Sequence, residues 1–239
     1  MSQNDGALNF KFIVDNIKEI CYNVSVAKDK YNRNNDEIQI MGVTKTVAPE
    51  LVNVAVEQGI TLLGENRVQE FMSKKDLYSK KADVHFIGHL QTNKVKYIIN
   101  DVSMIQSVDS IKLAEEINRL AIKNNKIMDI LIEINIGNEL SKSGIDKADV
   151  LKLVEEISQL SNVRINGLMT IPPPLCDESV YDEMHRIFLD IKEKKIDNVK
   201  MDILSMGMSG DYETAIKHGS NLIRIGTKLF GVRKYMEVI

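Results

Sequence analysis

Short apolar runs alternate with amphipathic helical stretches along almost the whole chain, and this alternation restricts the possible folds more than any other feature. Eight runs resemble buried strands, at residues 38–43, 61–63, 84–87, 104–108, 128–134, 163–168, 203–205 and 222–225. Helical periodicity separates them, for example at residues 49–58, 111–123, 148–160 and 180–195. Such alternation is typical of parallel strands joined by right-handed crossovers. It predicts an α/β fold, a (β/α)8 TIM barrel, with a doubly wound open sheet as the alternative because a strand count cannot decide closure.

An extra helix precedes this series, since apolar residues recur at helical spacing across residues 10–30. Gly59 and Gly219 stand where two later helices should end. No linker, repeat or low-complexity segment interrupts the chain. A barrel of ~200–250 residues is commonly one domain, so we expect a single domain over residues 1–239.

The charge balance and the cysteines exclude several classes of function. The chain has 31 basic and 34 acidic residues, a formal net charge of −3, so no global field favours nucleic acid or an anionic membrane. No apolar run approaches the ~18 residues of a membrane span, and the first residues lack the pattern of a signal peptide. Cys21 and Cys176 form neither a close pair nor a ligand cluster. We therefore expect a cytoplasmic protein with neither a nucleic-acid nor a membrane partner.

Small, polar and chargeable residues follow the carboxyl ends of the predicted strands. In a (β/α)8 barrel the active site forms at these ends. Lys45 follows the first strand, Asn66 the second and Ser209 the seventh, while Gly226 and Thr227 follow the eighth. These residues are therefore expected to meet at one rim of the barrel.

The residues after the last two strands have the composition of an anion site, and phosphate sites in such barrels are often built there. Ser209 supplies a hydroxyl, and Thr227 supplies another at the start of a helix. Gly207, Gly210 and Gly226 would let backbone N–H groups approach an anion closely. The alternative is that these glycines only form turns.

Lys45 is the second candidate anchor, because a lysine at the end of a buried strand must be paired or neutralised. A desolvated lysine supplies the free amine that attacks an aldehyde and forms an imine. A lysine that extends to solvent or forms a salt bridge is the alternative. Lys228 is a rival position with an expected outward direction, and Lys142 lies in a loop as a solvent-facing residue or an anion contact.

Two further patterns are weak. His85 and His89 are four residues apart, but they span a strand end and lack a third ligand, so no metal site is expected. Residues 226–231 begin like a P-loop, but Val232 stands where that motif requires a lysine.

Seven segments together resemble the signatures of a known family. They are residues 43–46 (Val-Thr-Lys-Thr), 64–70 (Gly-Glu-Asn-Arg-Val-Gln-Glu), 85–94 (His-Phe-Ile-Gly-His-Leu-Gln-Thr-Asn-Lys), 141–144 (Ser-Lys-Ser-Gly), 167–169 (Gly-Leu-Met), 204–209 (Leu-Ser-Met-Gly-Met-Ser) and 224–227 (Arg-Ile-Gly-Thr). In this combination and order the chain resembles the pyridoxal 5′-phosphate homeostasis protein family, the YggS/PROSC-like proteins. The similarity extends over residues 9–235 and implies the barrel of alanine racemase.

The resemblance implies that Lys45 forms the internal aldimine with pyridoxal 5′-phosphate (PLP). It assigns the other contacts to the following residues: the phosphate to Ser209, Gly226 and Thr227, the pyridine nitrogen to Arg224, and the surroundings of the cofactor to Asn66 and Met206. One departure is Val47, which replaces a second lysine found in many members. Any cofactor-handling role of that lysine is therefore in doubt for this chain.

These expectations favour a carrier over an enzyme, and no catalytic residue is assigned. A ring nitrogen beside the charged Arg224 should stay unprotonated, which weakens the electron sink that PLP chemistry needs. In the alanine racemases a second base comes from a following β-domain. This sequence ends 14 residues after Ile225, and we expect that domain to be absent.

The leading hypothesis is a monomer or weak dimer that holds PLP as a reversible imine, limits the free aldehyde and releases PLP to apo PLP-dependent enzymes. One alternative is an amino-acid racemase-type enzyme completed by residues of a partner chain. Another is a barrel enzyme acting on phosphorylated sugars, with Lys45 as a Schiff-base lysine without bound cofactor.

Overall fold

A computed structural model describes residues 10–139 and 142–231, and its centre is a closed barrel of eight parallel strands. The strands are β1 (Gln39–Val43), β2 (Leu62–Glu65), β3 (Asp83–Phe86), β4 (Met104–Val108), β5 (Met128–Ile134), β6 (Val163–Thr170), β7 (Val199–Ser205) and β8 (Leu222–Ile225). β8 closes the barrel by pairing with β1, with Gln39 opposite Leu222 and Gly42 opposite Ile225. The predicted TIM barrel is confirmed, and the open sheet is excluded.

Helices surround the barrel on its outside, and α2 to α8 connect successive strands. They are α1 (Lys11–Lys30), α2 (Pro49–Glu57), α3 (Val68–Lys74), α4 (Val95–Ile98), α5 (Ile111–Lys123), α6 (Val150–Ser158), α7 (Ser179–Glu193), α8 (Tyr212–Lys217) and α9 (Thr227–Phe230). Gly59 and Gly219 follow α2 and α8 with φ of 98° and 94°, which confirms the predicted helix ends. Within the described ranges, no helix has both the length and the apolar character needed to cross a membrane.

Strand bounds agree with the sequence where the apolar run is unbroken and differ where polar residues lie inside a strand. β4, β5 and β8 have the predicted bounds. β7 begins at Val199 instead of residue 203, because its first half contains the exposed Lys200 and Asp202. β2 extends to Glu65, a fully buried carboxylate that accepts a hydrogen bond from Thr44 Oγ1 at 2.7 Å.

The extra helix α1 covers the outside of the barrel where α8 and α9 are short. Its buried face consists of Ile13, Ile17, Ile20, Val24 and Ala27, at helical spacing. This face packs in one apolar cluster with residues of β8 and α9, including Leu229 and Phe230. The helix thus supports the last strand and the connection after it.

Candidate functional site

A cavity of about 280 Å³ opens at the carboxyl ends of the strands. It is lined by Val43, Lys45, Asn66, Ile87, Ile171, Met208, Ser209, Gly210, Arg224, Gly226 and Thr227. Larger clefts lie elsewhere in the described part of the chain, among them one of about 520 Å³ between α6 and α7 and one of about 500 Å³ at the amino ends of the strands. The smaller cavity is the candidate site, because it brings together predicted residues that line none of the larger clefts.

Lys45 lies at the mouth of the barrel on the connection from β1 to α2, and its side chain is half-buried. The next residue, Thr46, has φ of 62°, an unfavourable value for a β-branched residue. Glu70 of α3 accepts a hydrogen bond from the backbone N–H of Thr46. Lys74 donates to Glu70 Oε1 at 2.7 Å and to the backbone O of Thr44 at 3.0 Å. The helix α3 therefore holds the connection that carries Lys45 in a fixed, strained conformation.

Asn66 follows β2 and presents a buried side-chain Oδ1 that has no hydrogen-bond partner in the described part of the chain. Its backbone position depends on Gly88, after β3. A Cβ on Gly88 would come within 2.1 Å of the backbone O of Asn66, so no larger residue allows this approach. Because buried polar atoms are normally satisfied, the unpartnered Oδ1 fits a ligand with a donor group.

The anion end of the cavity is built by the connections after β7 and β8. Ser209 Oγ accepts hydrogen bonds from the backbone N–H groups of Gly226 at 3.3 Å and Lys228 at 3.2 Å. Its hydroxyl proton stays available to donate to an anion. Thr227 is exposed at the rim, and it begins a helix of only one turn, so hydroxyl and backbone N–H groups contribute more here than a helix dipole.

Arg224 extends from β8 into the barrel and is 3% exposed. It donates through Nη1 to Ser205 Oγ at 2.8 Å and through Nη2 to the backbone O of Thr170 at 2.7 Å. Burial lowers the pKa of Arg224 to about 10, against the opposing charges of Glu133 and Asp211. The guanidinium is therefore still charged at neutral pH, and its remaining N–H donors are available on the cavity side.

The structure brings six of the seven predicted cofactor-binding residues to the cavity, but it places Met206 elsewhere. Met206 is fully buried in the main apolar core and does not line the cavity. Met208, two residues later, is 37% exposed and does line it. Residues two positions apart share one face of a regular strand, but β7 ends at Ser205 and Gly207 has φ of 92°, so the chain turns between the two methionines and separates them.

The other basic and histidine candidates lie outside the cavity. Lys228 turns outward, with Nζ 3.3 Å from Tyr212 Oη and 3.5 Å from Glu19 Oε1. Lys142 is exposed, and its neighbour Ser141 lies outside the described residues. Over the described ranges, no three His, Cys, Asp or Glu side chains form a group that could hold a metal ion.

The apolar lining of the cavity was not identified from the sequence. Val43, Ile87 and Ile171 occupy strand ends or the residue just beyond, where an apolar side chain cannot be distinguished from core packing. The polar partners of Arg224 inside the barrel were also missed. For Ser205, one of these partners, its position at the end of a predicted strand was the sequence feature that could have identified it.

The chain belongs to the alanine racemase N-terminal domain family, whose model matches residues 16–234. The barrel of alanine racemase from Corynebacterium glutamicum has the same fold, with a TM-score of 0.68 at 13% identity over 96% of this chain and 63% of that one. These similarities establish the class of barrel.

More narrowly, the chain belongs with the pyridoxal phosphate homeostasis proteins. The protein of that name from Aquifex aeolicus is 40% identical over 227 residues, which cover 92% of this chain and 98% of the relative. PipY from Synechococcus elongatus, solved with PLP bound, superposes with a TM-score of 0.78 at 27% identity, covering 92% of this chain and 100% of PipY.

Proposed function

We propose that this protein binds PLP reversibly, with Lys45 joined to the cofactor aldehyde as an imine, and that it serves as a PLP reserve for apo PLP-dependent enzymes. The single observation that supports this most is the cavity in which Lys45, Arg224 and the Ser209 hydroxyl face one small space. The homeostasis proteins and the PLP-bound PipY are relatives at full length. The unpaired cysteines, Cys21 and Cys176, are consistent with a cytoplasmic setting.

The residues of the cavity match the chemistry of PLP group by group. Ser209, Gly226 and Thr227 would hold the phosphate through hydroxyl and backbone N–H donors. The unpartnered Asn66 Oδ1 would accept a hydrogen bond beside the ring. Arg224 would donate a hydrogen bond to the pyridine nitrogen.

Arg224 also explains why this protein should be a poor catalyst. PLP, when bound, supplies an aldehyde and an electron-withdrawing ring whose pull is strongest when the pyridine nitrogen is protonated. With its pKa lowered only to about 10 by burial, Arg224 keeps its charge and disfavours a second cation at the ring nitrogen. We therefore propose storage and release of PLP without sustained turnover.

The anchor is tested by reduction and mass mapping. Protein incubated with PLP should show imine absorbance, and borohydride should fix the adduct on Lys45. Lys45→Ala should lose the band, whereas Lys228→Ala, outside the cavity, should keep it. An unchanged spectrum in Lys45→Ala, or an adduct on another lysine, would contradict the proposal.

The same preparations separate a carrier from an enzyme. Protein loaded with PLP should restore the activity of a separate apo PLP-dependent enzyme, and it should not racemise added L-alanine over many cycles. Sustained racemisation that disappears in Lys45→Ala would establish a racemase-type enzyme instead.

A further inference from the structure

A chain of buried side chains crosses the barrel interior from Arg224 to His85. Arg224 Nη1 donates to Ser205 Oγ at 2.8 Å, Ser205 Oγ donates to Gln106 Oε1 at 2.8 Å, and Gln106 Nε2 lies 2.8 Å from His85 Nδ1. β4 and β7 are not neighbours in the barrel, so the bond between Gln106 and Ser205 passes through its interior. All four residues are buried, with exposures between 0% and 6%.

The chemistry of arginine and the orientation of the Gln106 amide together set the direction of every bond in this chain. A guanidinium only donates, so Ser205 Oγ accepts from it. The Gln106 amide presents Oε1 to Ser205, so the hydroxyl donates its own proton to that oxygen. The amide nitrogen of Gln106 then faces His85 and can only donate. His85 Nδ1 must therefore be an unprotonated acceptor, which leaves the proton of the neutral ring on Nε2.

The two ends of the chain lie at opposite openings of the barrel. Arg224 lines the candidate cofactor cavity, and His85 lines the cleft of about 500 Å³ at the amino ends of the strands. The charged groups nearest His85 are Asp83, whose Oδ2 is 3.8 Å from His85 Nε2, and Asp129, which forms an ion pair with Arg164 at 2.6 Å.

The titration of His85 agrees with its role as an acceptor. Burial lowers the pKa of His85 to about 4, although Asp83 and Asp129 act in the opposite direction. Because of this lowered pKa, the imidazole ring of His85 is neutral at physiological pH, as the direction of the chain requires. Glu37, in the segment before β1, is a further charged residue that lines the cleft.

We propose that His85, Gln106 and Ser205 are positioning residues for Arg224. The chain holds the guanidinium so that its remaining donors face the cavity and, resting on the proposed function, the ring nitrogen of bound PLP. Removal of the Ser205 hydroxyl would leave Arg224 Nη1 without its buried acceptor, and the guanidinium would turn away from the ring.

The direction of the chain is tested without any cofactor, by long-range ¹H–¹⁵N NMR of the imidazoles. The sequence has four histidines, and His85→Gln identifies the signal of His85. We expect Nδ1 to be unprotonated and Nε2 protonated at pH 7. Gln106→Glu should protonate Nδ1, because a carboxylate only accepts. A wild-type Nδ1–H, or an unchanged ring in Gln106→Glu, would overturn the chain whether or not the protein binds PLP.

The effect on the cofactor is tested by PLP titration followed by absorbance. Ser205→Ala should raise the Kd about tenfold, which corresponds to ~1.4 kcal/mol. The matched control is Ser107→Ala, because Ser107 is buried next to Gln106 on β4 and its Oγ has no partner in the described residues; its Kd should change less than twofold.

Equal effects of Ser205→Ala and Ser107→Ala would overturn the positioning role. If wild-type protein binds no PLP, the proposed function fails, and the NMR experiment still decides whether the chain exists. The wild-type NMR spectrum and the His85→Gln assignment do not depend on Ser205→Ala folding.

Discussion

At the scale of single residues, Glu133 on β5 is the most unusual ionisable group near the site. It is 6% exposed, and its Oε2 has no hydrogen-bond partner in the described part of the chain. Burial, followed by the charge of Asp109, raises the pKa of Glu133 to about 7, and Arg224 acts in the opposite direction. The folded protein therefore binds a proton on Glu133 more tightly than the unfolded chain does.

This difference predicts how Glu133→Gln changes stability with pH. Since the folded pKa is higher, the protonated carboxyl stabilises the fold at low pH, and this stability is lost as pH rises from about 4.5 to about 7. A shift of this size corresponds to at most ~3 kcal/mol. The unfolding free energy of Glu133→Gln minus that of wild type should therefore increase from pH 5 to pH 8. Urea unfolding of cofactor-free protein measures it, and a pH-independent difference would contradict the prediction.

At this scale the sequence grouped seven candidate residues, of which six line the cavity, because parallel strands present their carboxyl ends together. Lys45, Asn66 and Ser209 follow three separate strands, and the strand-end rule was enough to group them. Met206 was expected near the cofactor but lies in the apolar core and not in the cavity lining, and a motif match does not give the direction of a side chain where the backbone turns at Gly207. The unpartnered Oδ1 of Asn66 could not be predicted, since a missing partner depends on which side chains the closed barrel brings close.

At the scale of elements, α3 acts as a clamp on the connection from β1 to α2. Glu70 lies at the centre of this clamp, between the N–H of Thr46 and Nζ of Lys74. Burial alone would raise the pKa of Glu70, but the hydrogen bonds from Lys74 and Thr46 outweigh it and lower the pKa. The carboxylate therefore stabilises the fold above about pH 4.5, and this contribution is lost as pH falls through the lowered pKa.

Glu70→Gln should loosen the clamp. The neutral amide oxygen still accepts hydrogen bonds, but it forms no ion pair with Lys74, so we expect a loss of about 1–2 kcal/mol of stability at pH 7. A weaker affinity for PLP should accompany it, because a neutral acceptor holds the N–H of Thr46 less firmly than the carboxylate does. Urea unfolding and PLP titration measure the two effects. The control is Glu115→Gln, an exposed position on α5, and equal losses in both variants would count against the clamp.

At the scale of the whole molecule, the alternation of strands and helices predicted the elements but not their closure. Closure depends on the pairing of β8 with β1, a contact between the two ends of the series that no local pattern records. The bond from Ser205 to Gln106 is of the same kind, because it joins residues 99 positions apart. Contacts of this range follow from the closed topology and not from periodicity.

The helix α1 covers a part of the barrel surface that the last two helices leave open. Because α8 and α9 are only 6 and 4 residues long, they leave the outside of β8 to be covered by α1. The side-chain amide of Asn16 donates to the backbone O of Leu229 at 3.0 Å, and the buried face of α1 packs with Phe230. The helix therefore supports the element that begins with Thr227, at the anion end of the cavity.

Ile20→Ala tests whether α1 is part of the folded unit or an attachment to it. Ile20 is 1% exposed within the cluster that contains Leu229 and Phe230, so its truncation should cost about 2–5 kcal/mol of unfolding free energy. Tyr22→Ala, 69% exposed on the same helix, should cost less than about 0.5 kcal/mol. If α1 supports the anion end, Ile20→Ala should also weaken binding of PLP more than binding of pyridoxal, which lacks the phosphate. A single cooperative urea transition with a lowered midpoint is expected, whereas an early separate transition would show that α1 unfolds independently of the barrel.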